Sequence, residues 1–274
     1  MSVRANFPLE PIPAQVCVEL SARRSRWSKE GPSGVPGSNP IFSFPERAME
    51  TSLHRQLKEY YARSEARYEV PVDGFRIDVV NGKILVEIQH GSLAAIRDKL
   101  RQLLKRHTVH VVKPIVARKC LVKQSRKGGR EKSRRWSPKR RKILSIFDEL
   151  VYFTKVFPHK RLTLHVPLVE VEELRYPGHG RRRWRRATDF EVEDQQLTEI
   201  VEEVSFRTLG DLCQLLPENL PSPFHTGDLA EQLAVERRVA QRMAYCLREM
   251  KALRTVGKQG NAWLYEVKRS AAVA

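Results

Sequence analysis

The 274-residue sequence lacks any apolar run approaching the roughly 20 residues that a membrane-spanning helix needs, so no membrane partner is expected. Cysteine is scarce. Cys17, Cys120, Cys213 and Cys246 lie far apart with no Cys-x-x-Cys pair, which argues against a zinc ribbon and a disulfide framework and points to a reducing cytoplasm. The eight histidines are equally scattered and read as surface or packing residues. No basic stretch followed by an apolar core opens the chain, so no secretory leader is expected. Acidic residues are outnumbered. The 50 Lys and Arg against 32 Asp and Glu leave a net +18 and a pI near 10.1. Such an excess speaks of partners rather than fold, and polyanions are the obvious ones.

What is present divides into three stretches. Residues 1–48 carry seven prolines and three glycines without helical or strand period, as in a disordered tail. Met49 stands directly before the first strong helix, so the ordered chain is expected to start there, and whether Met1 is the true start stays open. From Met49 to 204 the pattern is that of one α/β domain. Leu53, Leu57, Tyr60 and Tyr61 form one stripe of an amphipathic helix. Three extended runs follow, Arg67–Val70, Phe75–Val80 and Lys83–Gln89, separated by the turn dipeptides Asp73-Gly74 and Asn81-Gly82. Ser92 is placed to cap a second helix reaching about Arg106, with Leu93, Ile96, Leu100, Leu103 and Leu104 as its apolar face. The apolar run His110–Val116 reads as a buried strand. The order is helix, three strands, helix, strand.

Charge is concentrated beyond this point. Lys123–Lys142 holds eleven basic residues and one Glu, and Arg181–Arg186 adds five arginines around Trp184. The first run, with Gly128-Gly129 and Pro138, is expected to be a flexible loop. Its Lys127, Arg130, Arg134, Arg135 and Arg140 are candidate phosphate contacts, and Trp136 a candidate stacking surface. Between the runs, Ile143–Phe157 looks helical, Arg161–Leu174 looks like a long strand, and Leu197–Val204 reads as a connecting helix.

Residues 205–268 form a different unit, followed by a short tail at 269–274. Thr208–Leu216 is a short helix stopped by Pro217, Thr226 is placed to cap Gly227–Leu233, and a longer helix spans about Arg237 to Met250. Leu253–Val256 and Ala262–Val267 are strand-like. Three helices and a hairpin tipped by glycine and lysine make a winged helix-turn-helix. Val239, Met243, Cys246, Leu247 and Met250 share one face of the long helix, and Arg237, Gln241, Tyr245 and Arg248 the opposite one. A recognition helix needs this division, with donors that reach base edges. Lys258 at the wing tip is a candidate phosphate contact. A solvated face on a protein-docking module is the alternative.

Chemistry is carried by Asp78 and Glu87. Pairing of their two strands brings both carboxylates to one sheet edge, and hard oxygen ligands of this kind hold Mg²⁺ for phosphodiester hydrolysis. Asp78, eight residues, then Glu87-Ile88-Gln89 resembles the PD-(D/E)XK nuclease motif, and the surrounding αβββαβ order, with its central mixed sheet, resembles that restriction-endonuclease-like core over about residues 50–116. The resemblance implies that Asp78, Glu87 and the Ile88 carbonyl hold Mg²⁺ or Mn²⁺. Gln89 stands where the family usually has lysine, and a neutral amide cannot act as a cation. Lys99 is a candidate for a migrated positive charge, and Glu59 or Glu65 for an additional acid. Over Met49–Val267 the chain also resembles uncharacterised bacterial proteins that join such a domain to a winged helix.

The expectation is thus a cytoplasmic, metal-dependent DNA endonuclease whose winged helix binds DNA. RNA as the polyanion and a homodimer both stay open. A non-catalytic DNA-binding regulator on an inactive nuclease fold, or a protein-interaction adaptor, are the alternatives.

Overall fold

The computed structural model describes Glu50–Gly178 and Asp189–Lys268, within the compact unit Arg47–Ala274. The expected tails at 1–48 and 269–274 and the arginine run at 181–186 lie outside the described residues. The fold is α/β around a large mixed sheet, eight strands among the described residues.

Helix α1 (Ser52–Tyr61) starts where the Thr51 hydroxyl accepts the His54 N–H, and it buries Leu53 and Leu57. Strands β1 (Arg67–Val72) and β2 (Phe75–Asn81) meet at Asp73-Gly74, both with positive φ (49° and 81°). That is the twist a two-residue hairpin demands. The next turn is shifted by one residue from the expected Asn81-Gly82. Asn81 remains in β2, paired with Ile84 of β3 (Ile84–Ile88), and Gly82-Lys83 turn the chain with Gly82 at φ 59°. Asn81 is used elsewhere: its amide donates to the Tyr61 carbonyl and accepts from the Arg63 N–H, tying the end of α1 to the hairpin.

Ser92 does cap the following segment, which begins as a 3₁₀ turn (Leu93–Ile96) and continues as α2 (Arg97–Leu103). The expected strand at 110–116 is split by Lys113-Pro114 into β4 (Thr108–Val112) and β5 (Ile115–Gln124), yet the two behave as one line. Both pair in parallel with β7 (Leu162–Pro177), and the register is kept across the break, Val112 opposite His165 and Ile115 opposite Leu168, before it shifts by one residue between Val116 and Arg118. Strand β3 lies outside β4, and β6 (Glu131–Trp136) lies outside β5. Among the described residues no strand pairs with the outer edge of the line between β3 and β6, although the Ser137 and Arg141 N–H groups donate to the Lys119 and Ala117 carbonyls there.

Three expectations are corrected. Lys123–Lys142 is a loop only in part: β5 continues to Gln124 and returns as β6 (Glu131–Trp136), which leaves the turn at 125–130, with Gly128 at φ 64°, and the stretch 137–142 outside the strands. A charged sequence suits a strand at a sheet edge, where both side-chain faces meet water. Leu197–Val204 is not a helix either, but part of β8 (Phe190–Phe206), antiparallel to β7. Register shifts on β8 leave Thr198 and Val201 unopposed. Each bulge resets the side-chain phase, so Leu197 and Ile200, three apart, share one face. In the sequence that spacing imitates a helix. Ile143–Phe157 likewise contains only a 3₁₀ turn (Ile143–Ile146), one helical turn α3 (Phe147–Leu150) and further turns, although Ile146, Phe147, Leu150, Phe153 and Phe157 are all buried.

Helices α4 (Leu209–Cys213), α5 (Thr226–Gln232) and α6 (Arg237–Glu249) precede a hairpin of β9 (Leu253–Gln259) and β10 (Ala262–Val267). The cap of α5 is His225 rather than Thr226: its Nδ1 accepts the Asp228 N–H, and Asp228 returns the bond. On α6 the buried face is Ala240, Met243, Ala244, Cys246 and Leu247. Cys120, Cys213 and Cys246 are free thiols. Among the described residues no helix is long and apolar enough to cross a membrane.

Two cores form. Beneath α1, Leu53 and Leu57 meet Val79, Val86, Ile88, Val112, Val169 and Val171. The larger core joins Leu100, Val111, Leu164 and Phe147 to Phe224, Leu229, Met243 and Leu247 without interruption. The boundary expected between 204 and 205 thus falls inside β8, and apolar packing is continuous across it. An Asp148–Arg242 ion pair adds to that contact. We expect heat unfolding of the described unit to be one cooperative transition. Met243→Ala should destabilise it by about 2–5 kcal/mol, measured by denaturant titration followed by circular dichroism. A C-terminal transition that separates from the sheet would contradict this coupling.

Candidate metal and nucleic-acid site

The β2–β3 ladder runs from Asn81–Ile84 to Val79–Val86. Beyond it the Asp78 carboxylate takes the place of a main-chain partner, its Oδ2 accepting the Ile88 N–H at 2.7 Å. Alternation along β2 breaks at this point, since Ile77 and Val80 join the larger core and Val79 the smaller. On the neighbouring strand Glu69 falls between the pairs Tyr68–Val79 and Val70–Ile77 and has φ 55°. A non-glycine residue in this region is strained. Strain therefore sits directly beside Asp78.

Asp78 and Glu87 are near neighbours, and their environments separate them. Burial pushes the Asp78 carboxyl up, but the His54 hydrogen bond (3.3 Å), the Ile88 N–H and the His54 charge outweigh it and hold it below the usual range. His54 responds in kind: burial lowers it, and Asp78 more than restores it. Burial, then the charge of Asp78, pushes Glu87 up to about 7 against the pull of Lys99. Glu87 is 8% exposed, and its Oε2 is buried with no hydrogen-bond partner. Its Oε1 accepts from Lys99 Nζ at 2.6 Å, and Lys99 also donates to the Arg76 carbonyl.

Gln89 points elsewhere, its amide donating to the Ser92 carbonyl at 2.8 Å. Glu59 and Glu65 are exposed. Glu59 is five residues past His54, about 140° further round α1. His54, not an acid, is thus the α1 residue that meets Asp78. Sequence reading missed it because histidine beside an apolar stripe is ordinary. It also missed Lys113, 5% exposed, whose ammonium bonds the His90 and Gly91 carbonyls and lies 3.4 Å from Glu149. Lys113 fastens the chain leaving β3 at the unpaired edge. A separate cluster, His110, His165, Tyr61, Glu203 and Ser205, is bonded internally, with burial and His165 pulling His110 down to about 4.

No group of three or more His, Cys, Asp or Glu among the described residues gathers as a metal site. Asp78 and Glu87 offer two carboxylates, one with a free buried oxygen. Mg²⁺ commonly takes one or two carboxylates and completes its shell with water and phosphate, so the donor set fits such an ion.

The predicted cations Lys127 and Arg130 at the β5–β6 turn, Arg135 on β6 and Arg140 beyond its end are exposed. Arg134 is engaged by Glu131 and Glu172. Arg118 stacks on Trp136, 4.0 Å from the ring centre, and Trp136 stays 42% exposed. At the other end of the chain, Arg237, Gln241, Tyr245 and Arg248 line one side of a cleft against the β9–β10 hairpin. Lys258 stands 4.2 Å over the Trp263 ring.

The domain family of unknown function DUF8091 matches residues 51–207, from α1 to the end of β8. An uncharacterized protein of Treponema pallidum (strain Nichols) is 33% identical over 184 residues, covering 66% of this chain and 72% of its own length. No solved structure matches the chain.

Glu87 makes stability depend on pH. Its folded pKa of about 7 lies above the roughly 4.3 of an unfolded glutamate, so the folded state keeps the proton longer. Its contribution is complete below about 4.3 and is lost as pH rises through 7. Metal-free wild type should therefore lose about 3 kcal/mol relative to Glu87→Gln between pH 4.5 and 7.5. Parallel stability curves for the two proteins would place Glu87 in a solvated site instead.

Proposed function

The chain belongs to the DUF8091 family, and we propose that it is a metal-dependent DNA endonuclease of the PD-(D/E)XK type with a C-terminal winged helix that grips nucleic acid. The observation that carries this reading is the Asp78–Glu87 pair at the carboxyl end of β3, with one buried Glu87 oxygen left unpartnered. The order α1, β1, β2, β3, α2, β4 supports a restriction-endonuclease-like core. The order α4, α5, α6, β9, β10 supports a winged helix-turn-helix. We assign the protein to the cytoplasm.

Asp78, Glu87 and the Ile88 carbonyl would hold Mg²⁺ or Mn²⁺. When bound, such an ion supplies a Lewis acid for the phosphate and acidifies a water molecule. The chain's own residues set the charge around it. His54 and the Ile88 N–H keep Asp78 ionised. Glu87, titrating near neutrality, is suited to hold or release a proton at Oε2. Lys99 is the cation beside Glu87, in the role that Gln89 cannot fill. Exposed Lys127, Arg130, Arg135 and Arg140 extend from the same outer side of the β4–β5 line as β3 and would neutralise backbone phosphates. Arg237, Gln241 and Arg248 on α6, with Lys258 on the hairpin, provide the second grip.

Gln89 supports a second reading. Its amide is committed to Ser92, so a non-catalytic DNA-binding protein on the same fold follows if Lys99 does not replace the missing cation.

Purified protein with Mg²⁺ or Mn²⁺ should nick or linearise plasmid DNA. Asp78→Ala and Glu87→Ala should abolish this while DNA binding persists. Lys99→Ala should reduce it, with partial recovery in Lys99→Arg. Cleavage surviving in both carboxylate variants would overturn the site, and wild type that binds without cutting would favour the second reading. In the same binding assay, neutralising Lys127, Arg130, Arg135 and Arg140 should flatten log K against log salt by about 0.9 per lost phosphate contact. An unchanged slope would remove the hairpin from the interface.

A further inference from the structure

Helix α6 and the β9–β10 hairpin enclose an open cleft of about 230 Å³. From the helix it receives Arg237, Gln241, Tyr245 and Arg248, which recur at one-turn spacing opposite the buried Met243 and Cys246. From the hairpin it receives Asn261 and Trp263. Two large aromatics on different elements thus face one space while keeping much of their surface in water, Tyr245 at 40% and Trp263 at 47% exposed. Packing does not account for them. Phe224, in the segment before α5, and Tyr265 of β10 meet in an isolated bridge and do the packing, 1% and 7% exposed, although Tyr265 also lines the cleft.

Cations accompany both rings. Arg248 lies over Tyr245 at 5.6 Å and Lys258 over Trp263 at 4.2 Å. The one nearby acid bonded to them is Glu249, 2.9 Å from Arg248. Gln241 and Asn261 bring carboxamides, each both donor and acceptor. The cleft is smaller than the roughly 300–1,000 Å³ of drug-sized sites. Flat apolar faces, amides and positive charge within one small volume match a single nucleotide, with the base against the rings and the phosphates on the cations. A base inside a duplex offers no face to stack on.

We infer that this cleft binds one unpaired nucleobase of a DNA or RNA strand, with Tyr245 and Trp263 as stacking surfaces and Arg237, Arg248 and Lys258 as phosphate contacts. The inference rests on the proposed nucleic-acid function, but not on the carboxylate site. It gives the C-terminal elements a preference for strand ends, gaps or junctions over intact duplex.

The experiment uses the full chain in EDTA, which removes cleavage. Fluorescence anisotropy compares a 12-nucleotide DNA strand, the same sequence as RNA, and the blunt DNA duplex, while 2-aminopurine in the strands reports stacking. Single strands should bind about tenfold or more tighter than duplex, with 2-aminopurine quenched. Trp263→Ala and Tyr245→Ala should each weaken strand binding about 5- to 100-fold, leave duplex binding within twofold, and relieve the quenching. Trp263→Phe should retain both. The ratio of the DNA and RNA arms identifies the sugar. Duplex bound as tightly as single strand, or equal losses on both in the aromatic variants, overturns the cleft and leaves the endonuclease reading standing. No binding to any of the three overturns both. Melting curves confirm folding, and because Trp263→Phe keeps a ring, its loss of quenching would also count against stacking.

Discussion

Strand β7 holds β4 and β5 in one parallel register, and the rest of the sheet is arranged by that constraint. Because the register does not change across Lys113-Pro114, β3 and β6 must both lie on the far side of the same line. Neither reaches the other. The unpaired stretch between them coincides with the carboxyl end of β3, where chains leave an open sheet and ligands commonly bind. Lys113 is the price of the break: a buried ammonium satisfied by the His90 and Gly91 carbonyls and by Glu149. A neutral side chain there would leave those groups without their donor.

The electrostatics of Asp78 and Glu87 follow from unequal partnering in similar burial. Asp78 has a histidine and a main-chain N–H, so charge wins over desolvation. Glu87 has one lysine and a carboxylate neighbour, so desolvation wins. Two acids that titrate far apart are a common preparation for acid–base work or for a cation. The strained Glu69 beside them is paired with Lys58 and Arg76, while the Asp78 carboxylate meets the Ile88 N–H and His54 where the β2–β3 ladder stops.

The C-terminal elements do not stand apart from the sheet. Met243, Cys246 and Leu247 on α6 belong to the same apolar core as Phe147 and Leu164, so the opposite face of α6 is fixed relative to the sheet. The grip proposed for that face and the carboxylates proposed for cleavage therefore belong to one body.

The sequence by itself determined the elements whose signals are local. The stripe Leu53, Leu57 and Tyr61 required a helix, positive-φ turns required Asp73-Gly74 and Gly82, and the α6 faces followed from helical period. The pairing of β2 with β3, and with it the closeness of Asp78 and Glu87, was legible for the same reason. Tertiary structure decided what depends on partners distant in sequence. Charge in Lys123–Gln124 and Glu131–Trp136 concealed an edge hairpin that only pairing with β5 stabilises. Bulges opposite β7 turned the helix-like spacing of Leu197, Ile200, Val201 and Val204 into a strand. Local reading divided the chain near residue 204, whereas long-range burial of Phe147 against α6 joined the two parts. His54 and Lys113 found their partners through the fold alone: Pro114 marks the break between β4 and β5, but nothing near either residue in sequence points to Asp78 or to the His90 and Gly91 carbonyls, because burial and ion pairing are set by what lies across the sheet.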